Sequence, residues 1–274
     1  MNVYANVQVK DEEILLKEIL PIWKEYPIDK WVFLDDNSSD KTASLIKDTM
    51  GRKAVVIKNT ESRYNPMKNR SQMLQYSRDK GASHIVSLNA DELISANILT
   101  DFPKMIELNS TYNILYYTFE AVRDINHHRI DSSHEKDFRN FIFPLSHAGN
   151  FESEGMSAHT IKAPPIYLPP VMTRDAGIIH LHRLNTRYYA LKNLWYKHRD
   201  YKEYLSSISD INSTYDVLVN NLNFEAEETL AKITNGISFD ASVFDDVIES
   251  RKYKEYIVEN AVPELITFGK EYLI

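Results

Sequence analysis

Cysteine is absent from the 274 residues, so neither a disulfide framework nor a thiolate metal site can form. Glycine is nearly as scarce, with seven residues at 51, 81, 149, 155, 177, 236 and 269. No two lie closer than six positions. That spacing excludes a G-x-G-x-x-G dinucleotide loop, a Walker A loop and a G-x-S-x-G elbow. H-E-x-x-H is missing too, since His134-Glu135 is followed by Lys136, Asp137 and Phe138. No run approaches the roughly 18 apolar residues of a membrane span, so no transmembrane segment is expected. Residues 1–10 alternate apolar and polar without a basic leader region, and the expectation is a cytoplasmic protein. Positive charge is in deficit: 32 Lys+Arg stand against 39 Asp+Glu, a net charge of −7. A nucleic-acid partner, which calls for a basic surplus, is therefore not expected.

What is present is ordinary globular composition, 43% hydrophobic and 26% charged, enough to build a core. The length suits one large domain, or one domain with an appendage. The first half alternates strand and helix patterns. Val3, Ala5, Val7 and Val9 fall at period two, which predicts a half-buried strand. Asp11 is placed to cap a helix carrying Leu15, Ile19, Ile22 and Tyr26 on one face, with Pro21 set to kink or tighten it. Residues 31–34 and 54–57 are short apolar runs of the buried-strand kind. Helices are expected from the polar turn at 35–40 to about Met50, and over 66–80 before Gly81. Residues 85–88 form another apolar run, and 114–119 a further β-like one. Residues 120–185 are irregular, with five of the prolines, as active-site regions often are. Beyond Thr186 the pattern turns helical, including 217–233 and 243–258. The predicted fold class is α/β, a mostly parallel sheet covered by helices, with a C-terminal helical extension.

Ligands of open parallel sheets bind outside the carboxyl ends of the strands. Two acidic clusters fall there: Asp35-Asp36 after the second strand and Asp91-Glu92 after the fourth. Carboxylates so placed can accept hydrogen bonds from a base or ribose, or hold a hard divalent cation against phosphates. A turn with a helix cap would explain Ser39 or Asp40 equally well, but not a second cluster at an equivalent strand end.

Together these segments resemble the family 2 glycosyltransferases of GT-A fold. Leu34-Asp35-Asp36-Asn37-Ser38-Ser39-Asp40-Lys41-Thr42 resembles that family's D-D-x-S-x-D-x-T signature. Lys68-Asn69-Arg70 through Leu74 and Lys80-Gly81-Ala82 resemble the helix leading to its metal motif. Leu88-Asn89-Ala90-Asp91-Glu92 is similar to the L-D-A-D-E form of D-x-D, and Val9-Lys10-Asp11-Glu12-Glu13 to the opening V-R-N-E-E. The resemblance covers residues 2–92 well and continues patchily to about Tyr196. It implies that Asp36 contacts the nucleotide base with Asp35 beside it, and that Val9, Asn89 and Ala90 belong to the nucleotide pocket. Asp91 becomes the carboxylate on a divalent cation, Mn2+ or Mg2+. Asn89 departs from the pattern, standing where the first Asp of D-x-D belongs and bringing no charge. Apart from the resemblance, Arg63, Arg70 and Arg183 are candidate diphosphate contacts, although Arg is also the routine partner of surface carboxylates.

An inverting sugar transfer needs a carboxylate to take the acceptor's proton. Residues 149–157 resemble the family's loop bearing that base. The first choice there is Glu154 and the second Glu152, with Ser153 standing where the family often has His. His180 and His182, two apart at the end of an expected strand, project to one face and could share a ligand. The resemblance makes His180 the third metal or diphosphate contact, followed by an aromatic/Lys helix with Tyr189, Lys192 and Tyr196. His127, His128 and His134 are too loosely spaced for a zinc site and fit an acceptor-side loop.

The resulting expectation has three parts: residues 1–110 bind the nucleotide-sugar, 111–186 form the acceptor and catalytic half, and 187–274 form a helical extension. That extension is expected to pack on the catalytic half or to make a partner or homo-oligomer contact. The donor is a nucleotide-sugar, with a UDP-sugar the first expectation, and the acceptor a hydroxyl of a glycan or lipid-linked saccharide, as in polysaccharide biosynthesis. The competing readings are a nucleotidyltransferase on a sugar phosphate and a non-catalytic relative that binds nucleotide or glycan.

Overall fold

The computed structural model describes residues 1–59, 65–130, 137–151, 162–204, 207, 209, 212, 227–229, 234 and 237–250. Its first sheet is built from β1 (Val3–Val9), β2 (Lys30–Asp35), β3 (Ala54–Lys58), β4 (His84–Asn89) and β9 (Ile142–Pro144). The strand order is β3-β2-β1-β4-β9, parallel except for β9. Helices α1 (Glu13–Lys24), α2 (Thr42–Met50) and α3 (Pro66–Asp79) make the crossovers. The chain first winds outward from β1 to β3, then returns to place β4 on the other side of β1. The direction of winding therefore reverses between β1 and β4, which opens a crevice at their carboxyl ends.

The half-buried strand expected at β1 is in fact buried on both faces. Central position explains this: β2 and β4 flank it, and even Asn6 is buried, accepting a hydrogen bond from Ser77 of α3 at 2.9 Å. Asp11 is not the cap of α1. Its backbone has φ 49°, and its Oδ1 instead accepts from the Ser39 amide at 2.5 Å. The helix continues through Pro21 and buries Leu15, Leu16, Ile19, Leu20 and Trp23. Trp23 stacks on Trp31 of β2 with centroids 5.0 Å apart, so the helix is held by its apolar stripe rather than by its cap.

A second sheet adjoins the first. Its members are β5 (Glu92–Ile94), β6 (Asn113–Val122), β7 (Asp124–Arg129), β8 (Phe138–Arg139), β10 (Pro170–His180) and β11 (Glu227–Thr229). Their order is β11-β7-β6-β10-β5, with β8 paired to β6. Helices α4 (Ala96–Thr100) and α5 (Phe102–Thr111) lead from β5 into β6. Much of the stretch that reads as irregular is thus strand. The region escapes period-two reading because β10 carries a bulge between Thr173 and Gly177. At Gly177 a Cβ would lie 1.8 Å from the Tyr117 carbonyl oxygen, so only glycine lets β10 approach β6 there.

Of the C-terminal region, α6 (Thr186–Tyr204) and a short α7 (Val243–Glu249) are helical, while residues 227–229, expected to be helical, form β11 against β7. Tyr188 of α6 packs on Phe244 of α7 at 4.5 Å, and both belong to the main core with Leu15 and Trp23. Among the described residues no helix is long and apolar enough to cross a membrane.

Candidate active site

The turn after β2 accounts for most of its polar residues by local bonding. Asp35 Oδ1 accepts the Ser38 amide at 2.9 Å, and Ser38 Oγ accepts the Asp11 amide at 2.9 Å. Asp40 accepts from both the Thr42 amide and, on its other oxygen, the Glu13 amide, which joins the starts of α1 and α2. Asp36 is different. It is buried, and its amide donates to the Val9 carbonyl at 2.8 Å, tying it to the end of β1. Its Oδ1 accepts from Asn59 at 2.5 Å and Asn69 at 3.5 Å. Its Oδ2 is buried with no hydrogen-bond partner among the described residues. A buried acceptor of this kind is costly unless a ligand donor meets it.

Val9 and Ala90 are both buried members of the core; the Val9 carbonyl is already engaged by Asp36. Arg70, beside Asn69 on α3, directs Nη1 to Ser87 Oγ of β4 at 3.4 Å. Because β2 and β4 both flank β1, with Val9 opposite Asp35 and Gln8 opposite Asn89, the two acidic clusters stand at one sheet edge. They are two strand spacings apart, about 10 Å. Arg63, Glu152 and Glu154 lie outside the described residues, as does His134.

At β4 the polypeptide turns directly into β5, and the motif residues divide. Glu92, next to Asp91 in the motif, is a fully buried strand residue. It accepts the Asn89 amide at 2.8 Å and Asn89 Nδ2 at 3.1 Å, and it pairs with buried Lys162. Burial alone would raise the Glu92 pKa, but the Lys162 ammonium and then His180 hold it below its usual value. Burial pushes Lys162 the other way, down to about 8, against the pull of Glu92. The uncharged residue at the first D-x-D position thus has its amide on Glu92, and the charge of the motif falls to Asp91.

Asp91 is 2% exposed, and three groups converge on its Oδ2. Lys192 Nζ of α6 lies at 2.6 Å, His180 Nε2 at 3.3 Å and His182 Nδ1 at 3.9 Å. Burial opposes ionisation there, but Lys192 and then the two histidines hold the carboxyl well below the usual carboxylate range. His180 is the last residue of β10, while His182 opens a short 3-10 turn, so the pair meets through a change of backbone direction rather than along one strand. Their ring centroids are 3.6 Å apart. Burial, then the neighbouring His180, push the His182 pKa down to about 3, which keeps its imidazole neutral with a lone pair to offer.

Donor atoms of Asp91, His180 and His182 lie within 4.8 Å of one another. One anionic oxygen and two imidazole nitrogens fit a divalent first-row ion. Sequence reasoning grouped the two histidines and named Lys192 on the helix after them without its contact to Asp91, and it missed Lys162 and Glu120. Glu120 could have been found, because it follows the apolar run 114–119 as Asp35 follows 31–34. Lys162 has no such signal.

The family model for glycosyl transferase family 2 matches residues 13–156, more than half of the chain. The chain belongs to that family. This family 2 glycosyltransferase is an enzyme of the nucleotide-sugar-dependent class, and its α/β architecture, a central sheet flanked by helices, is that of a GT-A fold. Among solved structures it is similar to S. aureus TarS residues 1–349, at 13% identity over 81% of this chain and 70% of that one, with a TM-score of 0.49. A longer S. aureus TarS structure matches at 11% identity over 97% of this chain and 50% of that one, also with a TM-score of 0.49, so the chain spans half of its length. Glucosyl-3-phosphoglycerate synthase from Mycobacterium tuberculosis, in complex with Mn2+, UDP and glucosyl-3-phosphoglycerate, matches at 13% identity over 44% of each chain, with a TM-score of 0.33. No curated protein matches the sequence significantly.

Proposed function

We propose that this glycosyltransferase moves a sugar from a UDP-sugar to a hydroxyl of a glycan or lipid-linked saccharide, with inversion and with a divalent cation, Mn2+ before Mg2+. The observation that carries the reading is the placement of Asp36 and the Asp91–His180–His182 cluster at one sheet edge, where the winding reverses between β1 and β4. In this reading the spare Oδ2 of Asp36 accepts an N–H of the base, and the amides of Asn59 and Asn69 hold the other oxygen so that the carboxylate cannot turn away. Asp91, His180 and His182 would hold the cation, which when bound would supply positive charge against the leaving diphosphate. Lys192 and Arg70 add fixed positive charge on that side, and Arg63 is assigned the same task from the sequence.

On the acceptor side, the carboxylate of Glu154, or of Glu152 in the alternative register, takes the hydroxyl proton as the acceptor oxygen bonds to the anomeric carbon and the diphosphate departs. One displacement from the face opposite the leaving group inverts the centre. The neutralising groups and the base must therefore stand on opposite sides of that carbon. Family membership sets the nucleotidyltransferase reading aside. The test is release of free nucleotide from a panel of nucleotide-sugars with an acceptor mixture, with and without Mn2+. Mn2+-dependent release from a UDP-sugar is expected; release confined to other nucleotides, or indifferent to cation, would sink the reading.

A further inference from the structure

Glu120 takes no part in the reaction as described, yet it stands directly behind the inner imidazole. It lies on β6, buried at 8% exposure, opposite His180 in the sheet register. Its two oxygens have different employment. Oε2 takes Arg183 Nε at 2.6 Å and Arg129 Nη1 at 3.3 Å. Oε1 faces His182 Nε2 at 3.5 Å, a contact just outside hydrogen-bond geometry, and Nε2 has no other hydrogen-bond partner among the described residues. The other ring nitrogen of His182, Nδ1, faces Asp91 Oδ2. The ring thus bridges a carboxylate and the candidate cation cluster. The ring packs against His180, centroids 3.6 Å apart, and against Tyr189, at 4.8 Å. Arg183 is fixed in turn, 4.1 Å over the Tyr189 ring and donating Nη2 to the Tyr189 hydroxyl at 2.8 Å.

We propose that Glu120 is a positioning residue for the cation: by accepting the Nε2–H of His182 it leaves the Nδ1 lone pair aimed at the ion, as the third protein donor beside Asp91 and His180. This rests on the cation reading given above. The argument is one of donor and acceptor bookkeeping. Both ring nitrogens face a carboxylate, but Glu120 Oε1 lies nearer to Nε2 than Asp91 Oδ2 lies to Nδ1, 3.5 against 3.9 Å, and Asp91 Oδ2 already meets Lys192 and His180. A neutral imidazole carries one N–H and an ionised carboxylate only accepts, so the proton goes to Nε2 and the lone pair stays on Nδ1. Metal-binding histidines are commonly fixed in this way by an outer carboxylate. The two arginines hold Oε2 and thereby keep Oε1 turned to the ring. A second imidazole nitrogen in the donor set also shifts preference from Mg2+ toward transition ions.

Glu120→Gln makes the idea testable because the arginines only donate. They force the amide oxygen to their side, so the amide NH2 faces His182 and donates to Nε2. The ring proton then moves to Nδ1 and blocks the ion. Titrating the full chain with Mn2+, alone and with UDP, should show an affinity loss of roughly 10–100-fold in Glu120→Gln. The loss should vanish when the same change is made in a His182→Ala background, where no ring is left to orient. A measurement on the parental protein needs no variant to fold: nitrogen NMR of labelled histidines should find His182 protonated on Nε2.

A parental protein that binds no Mn2+ with or without UDP removes the cation reading, and this inference with it. Mn2+ binding that is equal in parental and Glu120→Gln proteins overturns only the role of Glu120. So does an Nδ1–H tautomer of His182, or an undiminished loss in the His182→Ala background.

Discussion

Lys192 Nζ lies 2.6 Å from Asp91 Oδ2, joining a helix of the C-terminal region to the strand-end carboxylate 101 residues earlier. The ammonium also sits over the rings of Tyr188 and Tyr196, at 5.4 and 5.9 Å. It occupies the same oxygen that a divalent cation would use. Removing one partner of such a buried pair typically costs about 3–5 kcal/mol. Lys192→Met should therefore lower the thermal midpoint of the cation-free protein, and saturating Mn2+, by supplying the missing charge, should recover much of the loss. Equal losses with and without Mn2+ would show that Lys192 and the cation do not share Asp91.

Asp36 Oδ2 offers a buried acceptor that Asn59 and Asn69 leave unused. Asp36→Asn keeps the shape but cannot accept at both positions. Hydrogen bonds to charged groups contribute about 1.5–3 kcal/mol, so UDP affinity should fall by about tenfold or more, with little change in the thermal midpoint. Calorimetry that gives parental UDP affinity would remove Asp36 from the nucleotide site.

Glu154→Gln should retain donor binding and lose transfer by roughly 10²–10⁴-fold, the usual range for a general base. If Glu152→Gln is the inactive variant instead, the register of the loop is displaced by two residues. Full activity in both would dismiss the assignment of the base to this loop.

Gly177 sets where β10 meets β6, three residues before His180. A Cβ there would meet the Tyr117 carbonyl at 1.8 Å, and backbone cannot step aside as a side chain can. Gly177→Ala should cost about 1–3 kcal/mol by overpacking and displace His180 with the strand. A parental denaturation midpoint together with parental Mn2+ affinity would contradict this.

His84 supplies a pH test remote from the cation cluster. Its ring nitrogens meet the hydroxyls of Ser83 and Ser110 at 3.1 and 2.9 Å. Burial, and secondarily the amino-terminal ammonium, lower its pKa below the ordinary 6.5. The unfolded chain therefore takes up this proton first as pH falls. The contribution is complete above about pH 6.5 and is lost as pH drops from there toward the folded pKa. His84→Gln should flatten that part of the stability profile, read by denaturant titration between pH 7 and 5. A slope unchanged by the substitution would show that His84 does not supply it.

The first sheet and its acidic edge were legible in the sequence. Apolar runs at 31–34, 54–57 and 85–88 mark its strands, and burial on both faces, as in β2, writes itself as consecutive apolar residues, although the run at 54–57 is the half-buried edge strand. Asp36 and Asp91 could be located because the first few residues beyond such a run stand at a strand's carboxyl end. The histidine pair could be seen but not its geometry, since His182 lies in a turn beyond β10. Three features came only from tertiary structure: Lys192 on Asp91, Lys162 on Glu92, and Glu120 behind His182. Each joins residues from elements distant in sequence, and a long charged side chain carries no periodic signal of where its end will rest. Sequence determined which carboxylates would gather at the sheet edge, because hydrophobic patterning is local and repeats. Only the packed chain decided which cations and imidazoles neutralise them, because burying a charge demands a partner wherever the fold can bring one.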